Sequence, residues 1–288
     1  MRKILVTGAS GQVGSELKKL SVSRKEDFLF VSRDMLDITH AGNVRKFLEK
    51  HPVEAIINCA AYTAVDDAED NPERAAQVNS EAVEIFAGIC KEKQLKMVHI
   101  STDYVFDGQK NSPYFEEDPA APLGIYGKTK WEGEEAMRRI NPPRSVIIRT
   151  SWVYAPGGNN FVRTMLKLGK EKDVVKVVDD QVGTPTRAGD LAAAILEILP
   201  GLDNKEVRTY HYTNEGVCSW FDFAKAVMEY GKLPCKVIPV PSSEYPTKAK
   251  RPKFSVLSKQ AFKRDFKMDI PYWRDSLREY LEEMGVNN

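Results

Sequence analysis

Several features that mark specialised classes of protein are missing from this 288-residue sequence. No apolar run approaches the roughly 20 residues needed to cross a bilayer, and the N-terminus lacks the apolar stretch of a signal peptide. Lysine plus arginine number 42 against 41 aspartate plus glutamate, so no excess of positive charge attracts nucleic acid or an anionic membrane. We therefore expect a cytoplasmic globular protein with neither a nucleic-acid nor a membrane partner.

Cysteine and histidine are also scarce, with four of each. The cysteines include no Cys-x-x-Cys pair, so reduced thiols are expected rather than disulfides. The histidines are dispersed without metal-ligand spacing, and no metal site is predicted. The cluster of Asp66, Asp67 and Glu69 could suggest a metal site, but it is also typical of the solvated acidic start of a helix.

Strands and helices alternate through the first half of the chain. Short apolar, largely β-branched runs predict strands at residues 3–7, 28–32, 55–59, 97–101 and 145–149. Amphipathic stretches between them predict helices at residues 12–20, 43–50 and 73–92 and around Tyr126. This alternation predicts an α/β fold of the Rossmann type, a doubly wound parallel sheet with helices on both faces.

The regular alternation ends near residue 150, where prolines and glycines begin to cluster. We expect residues 1–150 to form a nucleotide-binding domain and residues 151–288 to form mainly a smaller α+β substrate-binding domain. One segment, residues 188–212, is expected to return to the first domain.

A glycine-rich turn follows the first predicted strand. Gly8, Gly11 and Gly14 are spaced three apart and lead directly into a predicted helix. Glycine permits a tight turn and close approach of a pyrophosphate, and free N–H groups at a helix N-terminus attract phosphate. A plain strand-to-helix turn would also use glycine, but the position after the opening strand favours a dinucleotide site.

The end of the second predicted strand bears on which nicotinamide cofactor binds. An acidic residue here usually holds the adenosine ribose of NAD, whereas an arginine suits the 2′-phosphate of NADP. Ser32 stands where the acid is expected and Arg33 follows it, so NADPH is predicted, while Asp34 keeps NADH open. The alternative is that Arg33 simply points into solvent.

Tyr126 and Lys130 stand four residues apart, which places them on one face of a predicted helix. The lysine cation is expected to lower the pKa of the Tyr126 phenol from its usual value of about 10. A tyrosine poised in this way can pass a proton to or from a carbonyl oxygen. The pair also arises by chance on solvated helices, so its meaning depends on the motifs around it.

The glycine turn, Thr102 just beyond a strand and the Tyr126-x-x-x-Lys130 pair together resemble the extended short-chain dehydrogenase/reductase family. Longer phrases are similar to the members of that family that reduce 4-keto sugar nucleotides. They lie at residues 58–66, 101–108, 126–130, 149–154, 158–161 and 180–186. The similarity continues to Arg251, so it covers nearly the whole chain.

The resemblance implies an NADPH-dependent oxidoreductase that reduces the 4-keto group of dTDP-4-dehydro-6-deoxy-L-mannose. The product would be dTDP-L-rhamnose, a precursor of surface polysaccharide. NADH is a second cofactor that the resemblance allows, and a homodimer remains open.

The resemblance also implies roles for individual residues. Tyr126 would protonate the C4 oxygen, Lys130 would lower the pKa of that tyrosine and bind the nicotinamide ribose, and Thr102 would hydrogen-bond the substrate carbonyl. Cofactor contacts are also implied for Gly8, Gly11, Gln12, Val13, Gly14, Arg33, Asp37, Ile38, Ala61, Tyr62 and Thr63. The substrate is expected to contact Thr102, Asp103, Trp152 and Arg251.

Simpler structural explanations exist for several of these residues. Thr102 could cap the turn after its strand, Trp152 could belong to the core, and Asp37 could cap the helix after Ile38. Arg251 could belong to a solvated basic run.

Two other functions stay open at the level of sequence. A nucleotide-sugar dehydratase or epimerase could use the same scaffold, although the dehydratases place a glutamate after the Thr-Asp pair, where this chain has Tyr104. The other is a non-catalytic subunit resembling the regulatory subunit of methionine adenosyltransferase. Such a subunit would not need Thr102, Tyr126 and Lys130, so their presence argues against this function.

Overall fold

The computed structural model describes residues 3–286. In chain order its strands are β1 (Lys3–Thr7), β2 (Phe28–Val31), β3 (Val53–Asn58), β4 (Lys96–Thr102), β5 (Ser145–Thr150), β6 (Val153–Tyr154), β7 (Val174–Val178), β8 (Val182–Gly183), β9 (Thr186–Arg187), β10 (Arg208–His211), β11 (Cys218–Ser219) and β12 (Lys236–Val240). Its α-helices are α1 (Gln12–Ser21), α2 (Ala41–Lys50), α3 (Val65–Ala68), α4 (Pro72–Ala76), α5 (Ala82–Lys93), α6 (Ile125–Ile140), α7 (Phe161–Glu171), α8 (Ala188–Ile198), α9 (Trp220–Tyr230), α10 (Gln260–Phe266) and α11 (Trp273–Glu283).

Six strands form one parallel sheet in the order β10-β5-β4-β3-β1-β2. Successive side chains of a strand point to opposite faces, so both faces of these apolar strands need cover. On one face Ile4 and Val6 pack with Leu17 of α1 and Leu191 of α8. On the other, Leu5 belongs to a core cluster that includes residues of α2, α5 and α6. The predicted doubly wound Rossmann-type fold is confirmed.

The helix predicted over residues 73–92 is interrupted. α4 and α5 are separated by a π-helical segment, Gln77–Glu81. Such wide turns are rare and often occur at functional sites. Here the segment contains the buried Asn79, whose side chain accepts a hydrogen bond from Tyr62 N, outside the helix.

The chain leaves the sheet after β5 and later returns to it. α8 packs beside α1, and β10 pairs in parallel with β5 as an edge strand of the sheet. Phe262 of α10 joins the same core cluster, in edge-to-face contact with Tyr212. A segment of the last quarter of the chain therefore also covers the main sheet.

A smaller α+β unit surrounds the third core cluster. It contains α7, α9 and α11 and the parallel pair formed by β7 and β12, with Phe223 and Leu277 fully buried at its centre. The four cysteines are free. Among residues 3–286, no helix combines the length and the apolar composition needed to cross a membrane.

Candidate active site

The carboxyl ends of β1, β3, β4 and β5 meet at one edge of the sheet, because all four strands run in parallel. Thr102 is the last residue of β4, and Gly8, Ala61 and Trp152 lie in the loops that follow β1, β3 and β5. In open α/β sheets, ligands bind outside this edge. The candidate site is therefore assembled from loops that lie far apart in the sequence.

The glycine turn after β1 has the geometry of a phosphate cradle. Gly8 has a φ of +65°, and a Cβ there would lie 2.7 Å from the carbonyl of Cys59. A Cβ at Gly14 would lie 2.2 Å from the Gly8 oxygen, so neither position has room for a side chain. α1 has no side-chain N-cap and no acidic residue in its first turn. Its free N–H groups are thus suited to a pyrophosphate.

Gln12 and Val13 offer only their backbone to such a ligand. The side-chain amide of Gln12 is already paired, because Gln12 Nε2 donates to Val153 O at 3.2 Å and Gln12 Oε1 accepts from Asn160 Nδ2 at 3.1 Å. Val13 points into the core. The Gln12 side chain therefore connects the turn to the segment after β5.

Tyr62 is held by Asn79, a residue that the sequence analysis did not select. Asn79 Oδ1 accepts from Tyr62 N at 2.8 Å, and Asn79 Nδ2 lies 3.2 Å from Tyr62 O and 3.1 Å from Thr129 Oγ1. The phenol of Tyr62 donates to Asp67. Asn79 thus fixes the loop of Ala61, Tyr62 and Thr63 to α6. The sequence did contain one signal for this role, because Asn79 is a polar amide inside the amphipathic helix predicted over residues 73–92.

An open depression of about 410 Å³ lies beside the end of β2. Arg33 lines it together with Lys46 and Lys50. Arg33 is exposed and makes no ion pair with any residue between 3 and 286. Asp34 and Asp37 line it as well, so three cations and two carboxylates leave the lining with a formal net charge of +1, and the Arg33 guanidinium is a group that can pair with a phosphate.

Asp37 closes a short turn in front of α2. Its Oδ1 accepts from Thr39 N at 3.0 Å and from Thr39 Oγ1 at 2.6 Å, and these bonds hold the pKa of Asp37 below its usual value. The N-cap of α2 is His40, so the alternative in which Asp37 caps that helix is wrong. Ile38 places its side chain in the core.

Tyr126 and Lys130 lie on the face of α6 that turns towards the sheet. Lys130 is 1% exposed, and its Nζ donates to Ile100 O at 2.6 Å and lies 3.3 Å from His99 Nε2. Burial lowers the pKa of Lys130 to about 8, against the opposing effects of Glu134 and Cys59. Lys130 Nζ is therefore hydrogen-bonded to β4 rather than to Tyr126.

The expectation that Lys130 lowers the pKa of Tyr126 is wrong for this structure. Burial raises the pKa of Tyr126 to about 12; the Thr102 hydroxyl acts in the opposite direction, and Asp103 raises it further. Helical spacing places the two residues on one face, but it does not determine where a long lysine side chain ends. Tyr126 is consequently protonated at neutral pH, which is the form that a proton donor needs.

Thr102 and Asp103 stand at the end of β4. The Thr102 hydroxyl accepts from Tyr104 N at 3.2 Å and donates to Asp103 Oδ1 at 3.1 Å, so it does cap the turn after its strand. It also lies close enough to Tyr126 to affect the pKa of that phenol. A hydroxyl has one donor and two acceptor sites, so Thr102 can keep accepting from Tyr104 N while its single proton turns from Asp103 to a substrate carbonyl.

Asp103 is a buried carboxylate that is only partly bonded. It is 1% exposed, and its Oδ2 has no hydrogen-bond partner among residues 3–286. Burial raises its pKa to about 6, against the opposing effects of Ser255 and Thr102. Buried polar atoms in proteins are rarely unpaired, and an unpaired oxygen at this edge suits a hydroxyl donor on a ligand.

We expect Asp103→Asn to make the fold more stable at neutral pH. The folded pKa of about 6 exceeds the unfolded value, so the stability contributed by the protonated acid is present at low pH and is lost as the pH rises from about 4 through 6. The resulting cost at pH 7 is at most about 3 kcal/mol. Urea denaturation should show the variant more stable at pH 7 and the difference reduced to below about 1 kcal/mol near pH 4.

The exposed Asp34→Asn is the control for this comparison, with changes within about 0.5 kcal/mol at both pH values. Equal stability changes in Asp103→Asn at pH 4 and pH 7 would contradict the assignment of a raised pKa to this carboxyl group.

Trp152 has a backbone conformation that non-glycine residues rarely adopt, with a φ of 49°. Its indole is half-buried and stacks on Trp220 with ring centroids 3.6 Å apart. Trp152 is therefore not simply a core residue, and Trp220 is a neighbour that the sequence did not indicate. Strained conformations of this kind cluster at functional sites.

Arg251 is not part of a solvated run. Its Nη2 donates to Asp66 Oδ2 at 2.8 Å, while Asp66 Oδ1 accepts from Ala249 N at 3.0 Å. The Nε of Arg251 is buried and unpartnered among the described residues. Asp67 instead accepts from Tyr62 and Asn71, so these acidic residues have separate partners.

Glu69 completes this acidic group and fixes the start of α6. Its Oε1 accepts from Ile125 N at 2.8 Å. Among residues 3–286, no group of three or more histidine, cysteine, aspartate or glutamate side chains has an arrangement suited to a metal ion.

A doubly wound parallel sheet with an uncapped glycine turn after β1, together with Thr102, Tyr126 and Lys130 at the same edge, defines a dinucleotide-binding protein of the short-chain dehydrogenase/reductase type. The sequence model of the family described as RmlD substrate binding domain matches residues 1–286, and the chain belongs to that family. This membership confirms the resemblance inferred from the motifs.

Three similar proteins illustrate the relationship. The chain is 41% identical over 286 residues to the spore coat polysaccharide biosynthesis protein SpsK of Bacillus subtilis, covering 98% of each chain. It is 41% identical to a dTDP-4-dehydrorhamnose reductase of Burkholderia thailandensis, covering 94% of this chain and 95% of that protein. The crystal structure of a dTDP-4-dehydrorhamnose reductase of Bacillus anthracis in complex with NADP has a TM-score of 0.93 and 36% identity, covering 98% of this chain and all of that one.

Proposed function

We propose that this chain is an NADPH-dependent reductase that converts dTDP-4-dehydro-6-deoxy-L-mannose to dTDP-L-rhamnose for surface polysaccharide. The observation that carries the proposal is the meeting of Thr102 and a protonated Tyr126 at the same sheet edge as the uncapped glycine turn. The 41% identity to a dTDP-4-dehydrorhamnose reductase over 94% of this chain supports the choice of substrate.

The residues that would hold NADPH fit such a cofactor. Gly8, Gly11 and Gly14 allow the turn to pack tightly against its own backbone and that of Cys59, and the N-terminus of α1, where Gln12 and Val13 lie, has no side-chain cap to compete with the pyrophosphate. Asp37 and Ile38 would border the adenine, the loop of residues 61–63 would line the other half, and Lys130 would bind the nicotinamide ribose. When bound, NADPH supplies the hydride.

The chain's own residues then handle the carbonyl oxygen. Thr102 donates a hydrogen bond to the C4 carbonyl, and Tyr126 gives its phenolic proton to that oxygen as negative charge develops on it. A proton donor positioned in this way contributes about 10²–10⁴-fold to the rate. Holding the two reactants at near-attack distance supplies much of the remainder.

The substrate would be oriented by Asp103, Trp152 and Arg251. The free Oδ2 of Asp103 would accept from a sugar hydroxyl, and Trp152 would cover the sugar. Arg251 would reach the diphosphate, for which a guanidinium has matching geometry. Because Arg251 is paired with Asp66, binding the diphosphate would require it to share or exchange that partner.

We expect Arg33 to give NADPH its advantage over NADH. Arg33→Ala should raise the KM for NADPH about tenfold, because one charge-assisted contact with the 2′-phosphate is lost, and should leave the KM for NADH nearly unchanged. Steady-state assays with each cofactor measure this. Arg45→Ala is the matched control, since that arginine is paired with Glu92 and does not line the depression. Equal effects on both cofactors in Arg33→Ala would remove the assigned role.

The main experiment follows NADPH absorbance with purified protein. The 4-keto sugar nucleotide is generated by the upstream dehydratase and epimerase, and the product is identified by mass and by comparison with dTDP-L-rhamnose. We expect oxidation only when protein, NADPH and the epimerised sugar are all present. Consumption of the sugar without net NADPH oxidation would indicate an epimerase or dehydratase instead. No reaction, together with co-purification with a synthetase, would indicate a regulatory subunit.

Three further properties belong to the proposal. The protein would act in the cytoplasm, and a homodimer stays open. The substrate region would correspond mainly to residues 151–288, with residues 188–212 belonging to the nucleotide-binding part.

A further inference from the structure

A row of buried polar side chains crosses the sheet next to the site. Thr7 is paired in register with Asn58, and Asn58 with His99, on the adjacent strands β1, β3 and β4. Side chains of paired residues share one face of a sheet, which here is the face covered by α6. All three are at most 1% exposed. The row therefore places polar side chains inside the core beneath α6.

Hydrogen bonds run along this row and end at the lysine of the site. Thr7 Oγ1 donates to Asn58 Oδ1 at 2.6 Å, and Asn58 Nδ2 lies 3.1 Å from His99 Nδ1. His99 Nε2 lies 3.3 Å from Lys130 Nζ. Thr7 directly precedes Gly8, so the row connects the glycine turn to Lys130.

A neutral imidazole has one N–H and one acceptor nitrogen. Burial and the neighbouring Lys130 hold the pKa of His99 well below its usual value, so this ring is neutral. With the Asn58 amide donating to Nδ1, the proton of His99 is on Nε2 and faces Lys130. This arrangement matches the uncharged amine of Lys130, which can accept.

The ammonium form of Lys130 requires the opposite arrangement. Nε2 must then accept from Lys130, the His99 proton moves to Nδ1, and the Asn58 carboxamide turns by half a revolution so that its oxygen faces His99. Both arrangements leave His99, Asn58 and Lys130 paired, because amide and imidazole each carry a donor and an acceptor. In the second arrangement Asn58 Nδ2 donates to Thr7 Oγ1, and the Thr7 proton turns away from Asn58. An apolar residue at position 99 would offer neither.

We infer that His99 is a positioning residue that adjusts to the protonation state of Lys130 by exchanging tautomers in concert with Asn58. This role rests on the proposed function only in that Lys130 takes part in turnover. The groups that face Lys130 are His99 and the Ile100 carbonyl from β4, Glu134 from α6 and the Cys59 thiol after β3. The two groups within hydrogen-bonding distance of Lys130 Nζ differ, because the Ile100 carbonyl can only accept, whereas His99 can accept or donate without ionising.

The pH dependence of kcat/KM for NADPH, which reports groups of the free enzyme, tests this role in variants. With a lysine pKa of about 8, the alkaline limb of the wild-type profile should lie near that value. His99→Leu deprives the ammonium of an acceptor, and a charged group loses more than a neutral amine does, so the limb should move about one pH unit lower. His99→Gln has both an acceptor and a donor, and should restore most of the wild-type profile.

His211→Gln is the matched control. His211 is equally buried, but it faces Arg149 rather than Lys130, so the limb should not move. Superimposable profiles for wild type, His99→Leu and His99→Gln would overturn the inference. An equal shift of the alkaline limb in His211→Gln would also overturn the inference, because it would show that altered packing in general moves the limb.

A measurement on the wild-type protein without substrate separates this inference from the proposed function. Nitrogen-15 NMR of labelled histidine distinguishes protonated from unprotonated ring nitrogens, and His99→Gln assigns the resonances. We expect the proton of His99 to move from Nδ1 to Nε2 as the pH rises through about 8. A single tautomer from pH 6 to 10 would refute the exchange, whereas an inactive wild type that shows the exchange would refute only the proposed reaction.

Discussion

Replacing Tyr126 by phenylalanine is expected to lower kcat by about 10²–10⁴-fold while leaving the affinity for NADPH nearly unchanged. The substitution removes the phenolic proton and little else, since the ring keeps its volume and its edge-to-face contact with Tyr104. The high pKa of this phenol means that the proton is present throughout the neutral range. Stopped-flow measurement of hydride transfer and fluorescence titration with NADPH determine the two quantities separately.

Tyr212→Phe is the matched control for this substitution. It also removes a hydroxyl from a buried tyrosine, but that hydroxyl donates to Asp190 O at 3.1 Å and lies in the core beneath α8. A kcat within a few-fold of wild type is expected there. Near wild-type turnover in Tyr126→Phe would remove the role of proton donor, and loss of NADPH binding in that variant would show that the residue acts mainly on the cofactor.

Replacing Glu134 by glutamine is expected to lower the free energy of unfolding by about 3–5 kcal/mol, because it leaves the charge of Arg149 buried without its partner. Glu134 is completely buried, and its carboxylate accepts from Arg149 Nη2 at 2.8 Å and from Ser101 Oγ at 2.5 Å. Arg149 is 1% exposed. For a chain of this size, the melting temperature should fall by roughly 10 °C.

The neighbouring Glu135→Gln provides a close control. Glu135 pairs with the same Arg138 that also contacts Glu134, but its side chain is 51% exposed. Surface pairs of this kind contribute little, so the change should stay within about 0.5 kcal/mol. Similar losses in the two variants would contradict the importance assigned to the buried pair.

The effect of Glu134→Gln should also depend on pH. Burial raises the pKa of Glu134, but Arg149 and the other donors more than offset this, and the net pKa lies below the usual value. Stabilisation by such a carboxylate is present above its unfolded pKa and is lost as the pH falls through the folded pKa. The stability difference between wild type and variant should therefore be full at pH 7 and diminish in strong acid.

The local motifs were readable because each depends on neighbours in the chain. Gly8, Gly11 and Gly14 stand at fixed spacing after a predicted strand, and their turn lies where that spacing placed it. Tyr126 and Lys130 share a helix face, as their separation requires. The alternation of apolar strands and amphipathic helices was sufficient to predict the parallel sheet. The interruption of the helix at residues 77–81 was missed, because the tertiary partners of Asn79 stabilise it.

Electrostatics could not be read in the same way. Proximity of Lys130 along α6 suggested a lowered pKa for Tyr126, but the lysine turns to Ile100 and burial dominates the phenol. The sequence left two interpretations of Arg251 open, a contact with the substrate diphosphate or a place in a solvated basic run, and neither indicated its pairing with Asp66, 185 positions away in sequence. The pKa of a side chain depends on how deeply it is buried and on the orientation of groups that are distant in the sequence. The spacing of two residues predicts neither of these.

By itself, the sequence determined the class of fold, the place of the glycine turn and the shared helix face of Tyr126 and Lys130, because these follow from short-range spacing and from hydrophobic periodicity. Only the tertiary structure decided that Thr7, Asn58 and His99 form one row ending at Lys130, and that Asp103 retains a free buried oxygen. The physical reason is that strand register and burial are set by packing between elements far apart in the chain, and they determine which polar atoms meet and which remain unpaired.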